Sequence, residues 1–199
     1  MLLKLDAIGI DEVGRGAIAG PVVAAAVWFA DSITEELLSK IGVNDSKKLT
    51  AKKRDFINKK LIELSEQDLL HYGIGIISPE KIDADGIVVA TNNAMKQALH
   101  NVKKENKLIF VDGIINPFEV SKCNVETIVK GDATCYNIAA ASVIVKEFRD
   151  KIMSELSHDE NQCYNWMKNK GYCTSEHMHG IFENGLSKHH RKTFCKNLI

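Results

Sequence analysis

Long hydrophobic runs are absent from this 199-residue sequence. The longest apolar stretch, Ala17 to Ala30, covers 14 residues and is interrupted by Gly20-Pro21. A membrane-spanning helix needs roughly 20 apolar residues, so no span and no membrane partner are expected. The first residues lack the basic, apolar and small-residue layout of a signal segment and lead directly into an acidic pair. The five cysteines are odd in number and make no C-x-x-C pair, which favours reduced thiols over a disulfide framework. Cys163 and Cys173, with His177 and His179, lack the closely spaced ligand pairs of a structural zinc site. Prolines number only three, and there are no repeats, low-complexity tracts or proline-rich linkers. Net charge is also missing, with 26 basic and 26 acidic residues, which excludes a uniformly basic nucleic-acid binder. These absences leave a soluble, cytoplasmic globular protein, expected to be a monomer.

What is present suits one domain over residues 1–199, with a core to about residue 156 and a helical C-terminal extension over about 157–199. Leu2 to Asp11 and Val22 to Phe29 read as strands close enough to pair antiparallel, and His71 to Ile77 as a third. Lys107 to Val111 and Val125 to Val129 read as short buried strands. Asp31-Ser32 is expected to cap a short helix over Glu35 to Lys40. Thr50 is expected to cap an amphipathic helix with Phe56, Ile57, Leu61 and Leu64 on one side. Helices are also expected over about Ile87 to Lys103 and Thr134 to Leu156. Loops join the early strands and helices the later ones, which predicts an α/β fold whose sheet is antiparallel first and parallel afterwards.

The chain is organised around Gly9-Ile10-Asp11-Glu12-Val13-Gly14-Arg15-Gly16. Two carboxylates at the end of an apolar strand are costly unless a positive partner, usually a metal ion, stands against them. A Gly-Arg-Gly loop can bring backbone N–H groups close to an anion. A cation site beside an anion site points to phosphoryl-transfer chemistry. Asp112 and Asp132 follow two later strands, and open α/β sheets place ligands at such strand ends. Hard oxygen donors suit Mg²⁺ or Mn²⁺, and two such ions would activate a water and stabilise a leaving oxygen.

Blander readings stand beside these. Asp132 could be a helix N-cap, and Asp112-Gly113 a turn dipeptide. A regular strand would send Asp11 and Glu12 to opposite faces. The basic cluster from Lys47 to Lys60 could follow a phosphate backbone or be a solvated helix face. Trp28 and Trp166 read as packing residues, and His189 as either a phosphate contact or a solvated side chain.

The Gly9–Val23 run resembles the signature of ribonuclease HII, the type 2 ribonuclease H family. Asp45-Ser46-Lys47-Lys48-Leu49, Val111-Asp112-Gly113, Val129-Lys130-Gly131-Asp132 and Ala139-Ala140-Ala141-Ser142 are similar to that family's later motifs, in its order. Gly171-Tyr172, Thr174, His177 and His190-Arg191 are similar to its C-terminal segment. The resemblance implies a ribonuclease H-like mixed five-stranded sheet flanked by helices. It implies an endonuclease for RNA–DNA hybrids and for single ribonucleotides in duplex DNA, cutting on their 5′ side to leave 3′-hydroxyl and 5′-phosphate ends.

By position it makes Asp11, Glu12, Asp112 and Asp132 the catalytic, metal-binding set for two Mn²⁺ or Mg²⁺ ions. Gly14, Arg15 and Gly16 become the reader of the ribose 2′-hydroxyl, and Tyr172 the residue packed on the sugar at the RNA-to-DNA junction. Ser46, Lys47 and Arg191 become further substrate contacts. The family usually has proline after the tyrosine, where Cys173 stands, which puts the stiffness of that loop in question. No clamp-binding tail is expected, since the chain ends at Ile199 without the aromatic tail of some relatives. Ribonuclease HIII shares the core but carries an extra N-terminal domain, for which a motif starting at Gly9 leaves no room. The rivals from other classes are a silent hybrid-binding module, which would lose acids, and a small-molecule phosphohydrolase, which would not need the basic cluster.

Overall fold

Strand β1 (Ala7–Val13) pairs antiparallel with β2 (Val22–Phe29), which pairs antiparallel with β3 (Leu70–Ile77). On its other side β1 pairs parallel with β4 (Leu108–Asp112), which pairs parallel with β5 (Val125–Ile128), giving the order β3-β2-β1-β4-β5. This computed structural model describes residues 1–104, 107–114, 116–118 and 124–196. Cys123 and the end of the chain, residues 197–199, lie outside the described residues.

The central strands are covered on both faces, so they read as continuous apolar runs instead of alternating ones. Helix α1 (Glu35–Ile41), α2 (Ala51–Glu66), α3 (Pro79–Asp85), α4 (Ile87–Val102) and α5 (Tyr136–Leu156) surround them. Ile8 and Ile10 join Val22, Ala24 and Ala26 under Ala90, Ala94 and Ala98 of α4. Val23, Ala25 and Val27 pack on the opposite face with Ala139, Ala140 and Val143 of α5 and Ile57 and Leu61 of α2. Ile10, with no surface exposed, contributes about 1.5–3 kcal/mol by its burial. The small residues of β1 and α5 let two backbones meet. A side-chain carbon on Gly9 would run into the backbone of Asn137 and Ile138.

Beyond α5 come α6 (Trp166–Asn169), α7 (Ser175–Asn184) and α8 (Lys192–Cys195), with no strand among the described residues there. Tyr164, Trp166, Ile181 and Cys195 close a small core against Ile18, Ala19 and Met153, tying this extension to the loop after β1. Among the described residues no helix is long and apolar enough to cross a membrane.

Several expectations are corrected. The cap of α1 is Thr34, whose hydroxyl accepts the Leu37 N–H at 3.2 Å, not Asp31-Ser32. Phe56 is 52 % exposed, because the buried face of α2 is drawn by Ile57, Leu61 and Leu64, and Lys60 covers its ring. Strand β1 starts at Ala7, since Leu2 instead bridges Cys135. Helix α5 starts at Tyr136, two residues late, after a 3₁₀ turn over Gly131–Ala133. Helix α3 was not anticipated, although Ser78 before Pro79 is a regular start signal, with the serine oxygen accepting the Lys81 N–H.

Candidate active site

Pleating carries on to the end of β1, so Asp11 turns to the α5 side of the sheet and Glu12 to the α4 side. The adjacent acids thus serve one end of the sheet from two faces. Asp11 is buried, and its Oδ1 accepts the Glu12 N–H at 2.8 Å. Burial, then the charges of Glu12 and Asp112, hold its carboxyl well above the usual range. Burial also raises Glu12, against the opposing pull of Arg15, whose Nη1 lies 3.3 Å from Oε1.

Asp112 ends β4, and its Oδ1 accepts the Gly131 N–H at 2.7 Å. Burial and then the charge of Asp132 raise it. It is the acid that interacts with all three others. Asp132 sits in the Gly131–Ala133 turn. The position capping α5 is Cys135, with no side-chain cap, so the helix-cap reading of Asp132 does not apply.

Lys47 reaches this group from a 3₁₀ turn over Ser46–Lys48. The turn is built by Asp45, whose Oδ1 accepts the Lys47 N–H at 2.9 Å, and by Ser142 of α5, whose Oγ accepts the Ser46 N–H at 3.3 Å. Lys47 Nζ stands 3.0 Å from Asp132 Oδ2. Burial alone would lower this ammonium, but the hydrogen bond and charge of Asp132 outweigh it and hold it above its usual value. Ser46 itself is buried, and its amide is committed to α5.

The loop after β1 is held from below by two buried arginines. Arg149 of α5 donates from Nε to the Pro21 carbonyl, from Nη2 to Ala19 and from Nη1 to Lys170. Arg191 donates from Nε to the Gly20 carbonyl and from Nη1 to the Arg15 carbonyl at 3.0 Å. Gly14 has φ +90°, and a side chain there would collide with Arg149. Gly16 and Arg15 are exposed, and nothing stands within 4 Å of where a Gly16 side chain would begin. Tyr172 is half-buried, its ring 5.5 Å from the Arg149 guanidinium. Arg191, expected to contact substrate, is fully buried, and its Nε and Nη1 donate to the loop's carbonyls.

On the α4 side, a cavity of about 210 Å³ lies between Glu12, Arg15, Asp112 and helix residues Thr91 and Asn92. Sequence reasoning missed Arg149 and Thr91. Arg149 had a readable signal, since Ser142, Val145, Arg149 and Met153 recur at helical spacing on the buried face of α5.

Asp11, Glu12 and Asp112, each with raised proton affinity, and the buried Asp132 form a hard oxygen donor set, which fits a divalent cation. Among the described residues, no three such donors converge on one point as they stand. Lys47 and Arg15 instead supply positive charge to Asp132 and Glu12.

A family model described as Ribonuclease HII matches residues 8–197. A Ribonuclease HII of Wolbachia pipientis is 46% identical over 187 residues, covering 94% of this chain and 89% of the relative. The ribonuclease HII in a PCNA complex from Archaeoglobus fulgidus superposes with a TM-score of 0.76 at 25% identity, covering 96% of each chain. The Mn²⁺ complex of Bst-RNase HIII has the same fold, with a TM-score of 0.67 at 18% identity, covering 94% of this chain and 64% of that one.

Proposed function

Since the chain belongs to the ribonuclease HII family, endonucleases that act on RNA–DNA hybrids, we propose that it also nicks duplex DNA on the 5′ side of a single embedded ribonucleotide. The products are a 3′-hydroxyl and a 5′-phosphate. The observation that carries this reading is the exposed Gly16, with open space in front of its backbone, beside exposed Arg15 and one loop away from four carboxylates. A bare backbone can approach a ribose closely, and the 2′-hydroxyl is what separates RNA from DNA there.

In this proposal Asp11, Glu12, Asp112 and Asp132 hold two Mn²⁺ or Mg²⁺ ions. When bound, the ions supply an activated water and stabilise the departing 3′ oxygen. Lys47, released from Asp132, takes a substrate phosphate, for which a compact ammonium on a flexible stem is suited. Ser46 contributes by shaping the turn that carries Lys47. Gly14 gives the loop its bend, and Arg15 and Gly16 meet the 2′-hydroxyl. Tyr172 packs on the sugar at the junction, with Arg149 behind its ring. Arg191 holds the Arg15 carbonyl, so it serves substrate recognition through the loop.

The test is cleavage of an RNA–DNA hybrid after chelation and re-addition of Mn²⁺, with Asp11→Asn beside the wild type. Loss of cleavage in a variant that still folds is expected. Undiminished cleavage by Asp11→Asn would overturn the assignment.

A further inference from the structure

Behind Tyr172, away from the carboxylates, lies a chain of buried side chains that the proposed chemistry does not use. Trp166, His177 and His190 have essentially no exposed surface. His177 Nδ1 lies 2.9 Å from the Tyr172 carbonyl oxygen, and His177 Nε2 lies 3.0 Å from His190 Nε2. Trp166 Nε1 donates to His177 Nε2 at 2.9 Å, and the Ser187 amide donates to His190 Nδ1 at 2.9 Å.

These contacts determine where the protons are. A carbonyl can only accept, so His177 Nδ1 carries a hydrogen. An indole N–H can only donate, so His177 Nε2 is a lone pair. From the other end, the Ser187 amide can only donate, so His190 Nδ1 is a lone pair and the hydrogen of a neutral His190 is on Nε2. That hydrogen points at the His177 lone pair. The two ends agree: the single His177 Nε2 lone pair is shared by the Trp166 and His190 donors, an arrangement that requires both rings to be neutral.

We propose that His177 and His190 are positioning residues for Tyr172, through a one-directional chain from the Ser187 amide through His190 and His177 to the Tyr172 carbonyl. Cys173 has no ring to fix its φ, and the segment needs another source of stiffness. The chain supplies it from behind. The Tyr172 N–H bonds the Asn169 carbonyl, and the Gly171 carbonyl accepts from Ile18 and Ala19, so a Tyr172 held in place is also held relative to the Gly14–Pro21 loop.

The environment keeps the rings neutral. Burial, then the neighbouring His177 and His189, push His190 down to about 4, and burial lowers His177 although the Tyr172 carbonyl opposes it. Tyr164 packs edge-on against the His190 ring, and Trp166 covers both histidines. A proton on either ring would set two donors face to face.

The proposal rests on the junction role given to Tyr172 above, and its test has two parts. The first is independent of activity: ¹⁵N NMR of the imidazoles in the folded wild type at pH 6–7. His177 protonated on Nδ1 and His190 on Nε2, both neutral, is expected. The reverse tautomer of His177, or a charged ring, would overturn the chain. The second is kinetic, on a duplex with one embedded ribonucleotide. His190→Leu should lower kcat about 10-fold or more, as a misplaced contact does, with KM moving less than about 3-fold. His190→Gln, whose amide can still donate to His177, should recover most of the lost rate. Wild-type kcat in His190→Leu, or no recovery in His190→Gln, would contradict the positioning role. If the wild type itself does not cut this substrate, the functional reading fails while the NMR result still decides the chain.

Discussion

Lys47 Nζ stands 3.0 Å from Asp132 Oδ2, joining a side chain 75 % exposed to one 6 % exposed. The ammonium occupies lone pairs that the proposed chemistry gives to a metal ion, so lysine and ion compete for one carboxylate. Lys47→Ala should therefore bind Mn²⁺ at least as tightly as wild type in the absence of substrate. Its cleavage of a hybrid should fall about 10-fold or more, the worth of one hydrogen bond to a charged group. Open to water, the pair itself adds at most about 1 kcal/mol to stability. Weaker Mn²⁺ binding by calorimetry in Lys47→Ala would contradict the competition.

Asp11 links stability to pH. Its carboxyl is held well above the usual range by burial first and then by Glu12 and Asp112. A folded-state value above the unfolded one means the unfolded chain gives up this proton more readily. Its ionisation therefore lowers stability as pH rises from the unfolded toward the folded value. Asp11→Asn should melt higher than wild type at neutral pH in chelator, with the gap closing as pH falls into the ordinary carboxylate range. Added Mn²⁺ should raise the melting temperature of wild type more than that of Asp11→Asn. A variant melting lower than wild type in chelator at neutral pH would refute this.

Two glycines two residues apart should behave differently. Gly14 has φ +90° and the Arg149 side chain against it, whereas Gly16 faces open space. Gly14→Ala should lose about 1–3 kcal/mol from backbone strain alone, read by denaturant unfolding. Gly16→Ala should stay within about 0.5 kcal/mol of wild type, yet slow hybrid cleavage, because its methyl group stands where a ribose would approach. Equal stability losses at both positions would count against this account of the loop.

Tyr172→Ala should impair cutting at a single ribonucleotide more than binding to the same duplex, because the ring is assigned to the junction and not to general affinity. The comparison pairs single-turnover rates with binding measured in Ca²⁺. Parallel losses in both would remove the junction role.

The strand ends carrying Asp11 and Asp112 were legible because a buried strand shows itself as an apolar run with a polar stop. The opposite facing of Asp11 and Glu12 also followed from the strand period. The strand period does not say whether both acids serve one site, whereas the structure sets the charge of Asp112 against both of them. The hold of Arg191 on the loop was not legible because its partners, the carbonyls of Gly20 and Arg15, lie more than 170 positions away and carry no residue-type signature. The His177–His190 contact was equally out of reach, being a proton arrangement that only the packing of the C-terminal extension defines. Phe56 was assigned to the wrong face of α2 because one helical position, about 100° of turn, separates it from the buried Ile57.

The most direct measurement is incubation of a DNA duplex containing one ribonucleotide with the protein and Mn²⁺ or Mg²⁺, followed by mapping of the ends. A single nick on the 5′ side of the ribonucleotide, leaving 3′-hydroxyl and 5′-phosphate and disappearing with chelator, is the predicted result. An intact duplex, or a nick on the 3′ side, would contradict the account.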